Sequence, residues 1–293
     1  MIITRLSGGL GNQMFQYAFA LRMAEQLHTE LKMDLGFFTT PQNSLVTPRT
    51  YELGCWGINP LPVSETELNA FLQPPKRGLS RLFRRSSAQT LNLLIKEKQF
   101  RFDTSITELQ GNLYLDGYWQ SETYFKPVAD KISGQYNLQA LPDNRNKELE
   151  QTLLQCESVA IHVRRKDYMK TPEILAFHGV LPASYYQEAV RIMEEKHKNI
   201  RLFIFSDDAE WTQQNLKFDL PVSYINHNTG NNSYLDLWLM SRCKHQVTAN
   251  SSFSWWAAWL NPNPQKTVIA PRQWFAGAEP DTTDLVPSTW IRI

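Results

Sequence analysis

Apolar and polar residues follow two rhythms along this chain. IITRL at the start is a short apolar run that predicts a strand, and MFQYAFALRMAEQLH sets Phe15, Phe19, Met23 and Leu27 on one stripe at helical spacing. ELKMDLGFF predicts a second strand, so the chain opens strand, turn, helix, strand, the start of a wound α/β sheet. Residues 36–76 are rich in Pro, Gly, Asn, Ser and Thr and read mainly as loops. In KRGLSRLFRR (76–85), Leu79, Leu82 and Phe83 fall at i, i+3 and i+4 among Arg77, Arg81, Arg84 and Arg85, the pattern of a short basic amphipathic helix. NLYLDGYWQ (112–120) reads as a strand running into a loop. LPDNRNKELEQ (141–151) is polar and turn-rich, which puts a joint near residues 140–146 and divides the chain into domains 1–143 and 144–293. The second part alternates strand and helix: SVAIHV, SYYQEAVRIMEEKH, RLFIF, SYLDLWLMSRC, HQVTAN, FSWWAAWL, and KTVIAP as the last clear strand.

Length agrees with that division, since 293 residues is room for about two ordinary domains. A chain 42% hydrophobic and 20% charged has ample apolar material for its cores. The net charge of +1 creates no global field for nucleic acid, and no base-reading motif occurs. Three cysteines, odd in number and widely spaced, argue against a disulfide framework and fit a reducing compartment; no CxxC pair suggests zinc. The N-terminus lacks the cationic and apolar regions of a signal peptide, and no run reaches the roughly 20 apolar residues of a membrane span. These features predict a cytoplasmic protein. The basic 76–85 segment adds two readings, a solvated helix face or peripheral contact with an anionic membrane on its inner side.

Chemistry concentrates where predicted strands end. HVRRKDY (162–168) sets Arg164 and Arg165 side by side at the end of a strand, where both guanidinium groups can address one forked anion; a surface salt-bridge pair is the bland alternative. SGGLGNQ (7–13) is a glycine-rich strand-to-helix turn, so backbone at Gly9 and Gly11 can approach a ligand closely. It is not a dinucleotide fingerprint with Asp34 as the ribose acid, because GxGxxG from Gly9 needs glycine where Met14 stands. Asn12 and Gln13 are polar groups at this turn, with helix capping as their plain role. FSDD (205–208) places Ser206, Asp207 and Asp208 at another strand end; two adjacent acids are thin support for a metal, and Asp207 equally suits orienting an arginine or capping a helix. In ANSSFSWWAAWL (249–260), Asn250, Ser251, Ser252 and Ser254 crowd a helix start, as a phosphate cradle or as simple caps. That helix is apolar nearly all round, so Trp255, Trp256 and Trp259 read as core. An arginine pair and a serine-lined helix start in the same half of the chain both favour phosphate oxygens. With no P-loop and no convincing metal set, protein groups supply the cations.

GGLGNQMFQYA, LDGYWQSETYF, HVRRKDY, FSDD, NSSFSWWAAWLN and VIAPRQWF occur in this order. With them the chain resembles, nearly end to end, the bacterial α-1,2-fucosyltransferases of glycosyltransferase family 11. The resemblance implies an α/β, GT-B-like fold, two Rossmann-like domains facing across a cleft, with an acceptor-side domain at 1–143 and a GDP-fucose domain at 144–293. It implies GDP-fucose as donor, a galactose-terminated acceptor, inversion, and no cofactor or metal. By the same likeness Arg164 and Arg165 hold the pyrophosphate, with Arg165 nearest the leaving phosphate. His162 sits by the guanine or ribose, Asp236 reads the guanine N–H edge, Ser251, Ser252 and Phe253 face the phosphates, and Asn12 reaches toward the fucose. Ser206, Asp207, Asn250, Gly9 and Gly11 join the donor-binding set from their places at strand ends. Lys166 departs from the glycine usual in the motif and unsettles the role of Asp167. Candidate bases are Asp167, Glu173 and His178, whose plain roles are salt bridge, solvated acid and loop packing. Two other classes stay open: a non-catalytic sugar or nucleotide binder using its tryptophans as platforms, and a NAD-dependent oxidoreductase. The acceptor is a free oligosaccharide or a lipid-linked surface glycan.

Overall fold

The structure, a computed structural model, describes residues 1–40, 48–72, 91–277 and 280–293, so the 76–85 segment lies outside the described residues. Among the described residues no helix is long and apolar enough to cross a membrane. The chain forms two compact units, changing from one to the other between Ile132 and Ser133.

The first unit winds β1 (Ile2–Arg5), α1 (Leu10–Gln26), β2 (Leu31–Asp34), α2 (Gly36–Thr39), α3 (Glu65–Leu72), β3 (Asn92–Lys96), α4 (Thr104–Thr107) and β4 (Asn112–Asp116). Its sheet is parallel throughout, in the order β2-β1-β4-β3. The predicted second strand stops at Asp34 because that carboxylate accepts the Gly36 N–H (2.8 Å) and turns the chain into α2. α1 buries far more than one stripe, Gly11, Gln13 and Gln16 included. The reason is a second cover of aromatic residues beyond β4. Phe19 lies 5.0 Å from Trp119 and 4.8 Å from Tyr124 between ring centroids, and Phe15 lies 6.1 Å from Phe125. The stretch read as loops at 36–76 holds α2 and α3.

From α5 (Ala129–Gln135) the chain enters the second unit, which winds α6 (Asn144–Gln155), β5 (Glu157–Val163), α7 (Pro172–His178), α8 (Ala183–Lys196), β6 (Ile200–Ser206), α9 (Ala209–Asn215), β7 (Val222–Ile225), α10 (Tyr234–Arg242), β8 (His245–Val247), α11 (Ser252–Leu260), β9 (Val268–Ala270) and β10 (Ile291–Arg292). The strands are all parallel, in the order β7-β6-β5-β8-β9-β10. Counted from β5 this is 3-2-1-4-5-6, the doubly wound nucleotide-binding order, and it reverses between β5 and β8. β5 and β6 are apolar on both faces, as strands of a covered parallel sheet must be. Val159, Ile161 and Val163 pack with Tyr186, Ala189, Val190 and Met193 of α8. Trp255 and Trp256 of α11 are fully buried core, as the all-round apolar pattern requires. The polar stretch at 141–151 is largely helix: Asp143 caps α6 by accepting the Asn146 N–H (2.9 Å).

Candidate active site

Side chains beyond β5 and β8 line the place where the strand order reverses, the position at which open α/β sheets take ligands. β5 delivers the two arginines. Arg164 makes an ion pair through Nη2 with Asp167, and its Nε lies 3.5 Å from Asp207. Arg165 lays its guanidinium 3.9 Å from the centroid of the Trp211 ring, with Nε 3.6 Å from Asp208 and Nη2 3.5 Å from Met169 Sδ. A stacked guanidinium keeps one orientation, which suits a planar fork aimed at an anion. Asp207 braces the loop from the neighbouring strand: its two oxygens accept the Arg165 N–H (2.8 Å) and the Asp167 N–H (3.2 Å). Of the two roles open to Asp207, the geometry adopts the orienting one; Asp208 is the cap, accepting the Trp211 N–H (3.4 Å) at the start of α9. Ser206 Oγ accepts the Asp208 N–H (2.9 Å) and so shapes this corner.

On the β8 side, Asn250 ties three segments together. Its Nδ2 donates to the carbonyls of His178 (2.8 Å) and Trp274 (3.0 Å), and its own carbonyl accepts the Tyr168 hydroxyl (2.8 Å). Asn250 Oδ1 is buried with no hydrogen-bond partner. Ser251 caps α11 by accepting the Phe253 N–H (3.3 Å), and Ser252 is the helix's first residue. The Phe253 ring stands 5.6 Å from His162. Burial, reinforced by Arg164, pushes the His162 pKa down to about 3, so its imidazole is neutral, and its Nδ1 is buried without a partner.

The candidate bases differ in surroundings. Asp167 is engaged by Arg164 and by Lys170 at 2.9 Å. Glu173 is exposed in the first turn of α7, with its pKa lowered chiefly by a backbone hydrogen bond. His178 stacks on Tyr168 (4.4 Å, 4°) and meets Phe177 and Phe275; burial and then Arg164 lower its pKa, keeping it neutral and able to accept a proton. Asp236 lies apart from the arginines' contacts, at the start of α10, where Oδ1 accepts from Asn228 Nδ2 (2.8 Å). Asn228 is in turn bonded to Asn146 (3.0 Å). Burial raises the Asp236 pKa to about 7 against the opposing Asn228 bond.

Gly9, Gly11 and Asn12 belong to the first unit. A Cβ on Gly8, whose φ is +72°, would lie 2.5 Å from Asn12 Nδ2, so the turn requires glycine there. The Leu10 N–H that opens α1 is taken by the Glu52 carboxylate (3.1 Å), an internal anion at this helix start. Gln13 is a buried strut to Gly8 O (2.9 Å) and Thr50 O (2.8 Å), whereas Asn12 Oδ1 accepts from Gln120 Nε2 (2.9 Å). Asp34 is engaged by the Tyr114 hydroxyl and the Gly36 N–H, which removes it as a ribose acid.

One cluster among the described residues has metal-ligand chemistry: Glu157, His197 and His245. It sits at the amino ends of β5 and β8, the edge opposite the arginines. His245 Nδ1 accepts the Thr267 N–H (3.0 Å), so the ring hydrogen is on Nε2, directed at Glu157 (2.8 Å), and no lone pair there remains for an ion. Sequence reasoning did not single out Trp211 or Tyr168. Tyr168 closes HVRRKDY and Trp211 stands three residues beyond Asp208, but their partners are Arg165 and Asn250, which only the sheet order brings near.

A model of glycosyl transferase family 11 matches residues 95–293. The chain is 33% identical over 309 residues to alpha-1,2-colitosyltransferase of Escherichia coli, covering 100% of this chain and 99% of the relative. It is 31% identical over 301 residues to the O-antigen biosynthesis glycosyltransferase WbnK of Escherichia coli, covering 98% and 99%. Among solved structures, an arginine-to-lysine mutant of FUT1 from Arabidopsis thaliana in complex with GDP superposes with a TM-score of 0.52 at 14% identity, over 98% of this chain and 74% of that one. That likeness shows the fold: α/β, GT-B-like, with two Rossmann-like units.

Proposed function

This chain belongs to glycosyl transferase family 11, and on that premise we propose that it is an inverting α-1,2-fucosyltransferase, moving L-fucose from GDP-β-L-fucose to the 2-hydroxyl of a terminal galactose. The observation that carries the reading is the braced arginine pair beyond β5, beside the start of α11, where the strand order reverses. As the bond from C1 to the β-phosphate breaks, negative charge grows on the leaving GDP. Arg165, held on Trp211, and Arg164 meet that charge together with the first N–H groups of α11. Their orientation is already set by Asp207, so little reorganisation accompanies the step. His162 borders the nucleoside, Phe253 beside it faces the phosphates with Ser251 and Ser252, and Asp236 accepts from the guanine N–H edge. Asn12, held by Gln120, belongs to the sugar side. His178 is the base we favour for the galactose hydroxyl, because it is neutral and less engaged than Asp167.

The E. coli relatives favour a surface glycan such as O-antigen as the destination, and one of them is named for colitose. A second reading is therefore colitose as the transferred sugar, which differs from fucose by lacking the 3-hydroxyl. The test is incubation in EDTA with GDP-fucose or GDP-colitose and a galactose-terminated oligosaccharide, with the product linkage read by NMR. An α-1,2-fucosyl product supports the proposal, and preference for the deoxy donor moves it to the second reading. Transfer from neither donor, or transfer only after a divalent metal is restored, overturns it.

A further inference from the structure

The segment just beyond β4, whose Trp119 also covers α1, is held in a strained and tightly braced turn. Gly117 admits no side chain: a Cβ would overlap Glu97 and lie 2.9 Å from the Trp119 ring. Trp119 holds φ +57°, the left-handed region that a bulky residue rarely occupies, and is fully buried with its Nε1 unpartnered. Such strain persists where the surroundings over-determine it, and it gathers at functional sites. Here Glu97 does the determining. Its carboxylate accepts the Tyr118 N–H (2.6 Å) and the Trp119 N–H (3.0 Å), while Gln16 Nε2 donates to the Gly117 carbonyl (3.2 Å). Gln120 then holds Asn12 (2.9 Å).

Between these fixed neighbours the Tyr118 side chain stands out, 37% exposed, whereas Trp119 and Gln120 are buried. An aromatic ring on a clamped backbone beyond the carboxyl end of a parallel strand is where an α/β unit takes ligands, and its face matches the C–H face of a hexopyranose. We propose that the Gly117–Gln120 turn is the acceptor-sugar subsite of the first unit, with Tyr118 as the platform for the galactose ring and Glu97 as the positioning residue that fixes it. This rests on the fucosyltransferase reading for the identity of the sugar.

The test uses the full chain and its Tyr118→Ala, Tyr118→Phe and Glu97→Gln variants. Binding of methyl β-D-galactopyranoside is followed by saturation-transfer NMR, acceptor KM by transfer from GDP-fucose, and the nucleotide site by the thermal shift with GDP. Tyr118→Ala is expected to weaken galactoside binding and raise acceptor KM about fivefold to tenfold. Tyr118→Phe, which keeps the ring, restores both. Glu97→Gln, with one acceptor oxygen for two N–H groups, weakens both with Tyr118 intact, and all three variants keep the GDP shift. Wild-type affinity in Tyr118→Ala, no galactoside binding by the unaltered chain, or loss of the GDP shift in parallel would overturn the subsite. Tyr118-dependent galactoside binding without transfer from GDP-fucose keeps the subsite and removes the donor reading. Transfer with an unchanged acceptor KM in Tyr118→Ala does the reverse.

Discussion

Asp207→Asn should separate the bracing of the arginines from their charge. The native carboxylate accepts two backbone N–H groups of the arginine loop, at 2.8 and 3.2 Å, and stands 3.5 Å from Arg164 Nε. Asparagine keeps one acceptor oxygen and turns an NH₂ toward the other N–H. One charge-assisted bond, worth about 1.5–3 kcal/mol, is lost. The side chain is 19% exposed, so water recovers part of this and the net cost is about 2 kcal/mol. At roughly 2–4 °C per kcal/mol, the second unit should melt about 4–8 °C lower. The effect on rate should be larger than the effect on stability. A displacement of about 1 Å in Arg165 removes it from the developing charge, and misplacement on that scale costs on the order of a hundredfold. Thermal unfolding and steady-state transfer on the same preparations measure both. Asp208→Asn is the comparison: asparagine caps α9 about as well as aspartate, and Asp208 accepts no backbone N–H of the arginine loop. Stability should therefore change by only a few tenths of a kcal/mol. The rate loss, confined to the 3.6 Å pairing with Arg165 Nε, should be smaller than for Asp207→Asn. If Asp207→Asn keeps the wild-type kcat/KM, or if the two variants lose rate equally, bracing is not what Asp207 contributes.

Arg165→Ala should lower transfer at least about a hundredfold in a folded chain, and Arg165→Lys should rescue little, because the fork and the stacking on Trp211 go together; steady-state rates with circular dichroism as a folding control decide this. His162, with its folded pKa lowered to about 3, makes the native state bind fewer protons than the unfolded chain, so its contribution to stability is present above pH ~6.5 and is lost as pH falls toward 3. Urea midpoints should drop between pH 7 and pH 5 in the wild type and drop less in His162→Gln. Asp236→Asn keeps an oxygen for Asn228 and removes a carboxyl raised to about 7 by burial, so the variant should gain stability relative to wild type at pH 8 but not at pH 4, while its preference for GDP over ADP in thermal-shift titration shrinks.

Most elements of the second unit were legible because their apolar patterns are strong. β5 and β6 are continuous apolar runs, and α8 keeps helical spacing. What escaped shares a physical cause. α6 buries only Asn146 and Leu153, so its composition reads as a turn-rich linker, and only the Asp143 cap marks it as a helix. β3 is an edge strand with alternating exposure, and β10 is two residues long; neither has the burial that writes a signal into composition. In the site, HVRRKDY and NSSF stood out because arginines at a strand end and serines at a helix start are chemically distinctive. The brace on the arginines was not legible, because it depends on register. Pairing of Val163 with Ser206 puts Asp207 beside the arginine loop, and no spacing within one strand encodes that.

Two carboxyls extend the same logic from geometry to stability. Glu97 in the first unit and Asp236 in the second each have a pKa raised to about 7, and in each the first cause is burial, opposed by the hydrogen bonds they accept. A raised acid binds its proton more tightly in the folded chain. The stability it contributes is therefore complete below the unfolded value near pH 4 and lost as pH rises through 7. At neutral pH both ionised carboxylates work against the fold; an amide at 236 would still serve Asn228, whereas an amide at 97 would leave one of two backbone N–H groups without its acceptor. Glu97 is the acceptor for the Tyr118 and Trp119 N–H groups at the exposed turn, and Asp236 joins the Asn228–Asn146 network at the start of α10. Neither is a packing residue that happens to ionise. Local costs of this kind are expected to be retained at functional positions, which fits the sugar-side role proposed for the Glu97 turn and the guanine-side role proposed for Asp236.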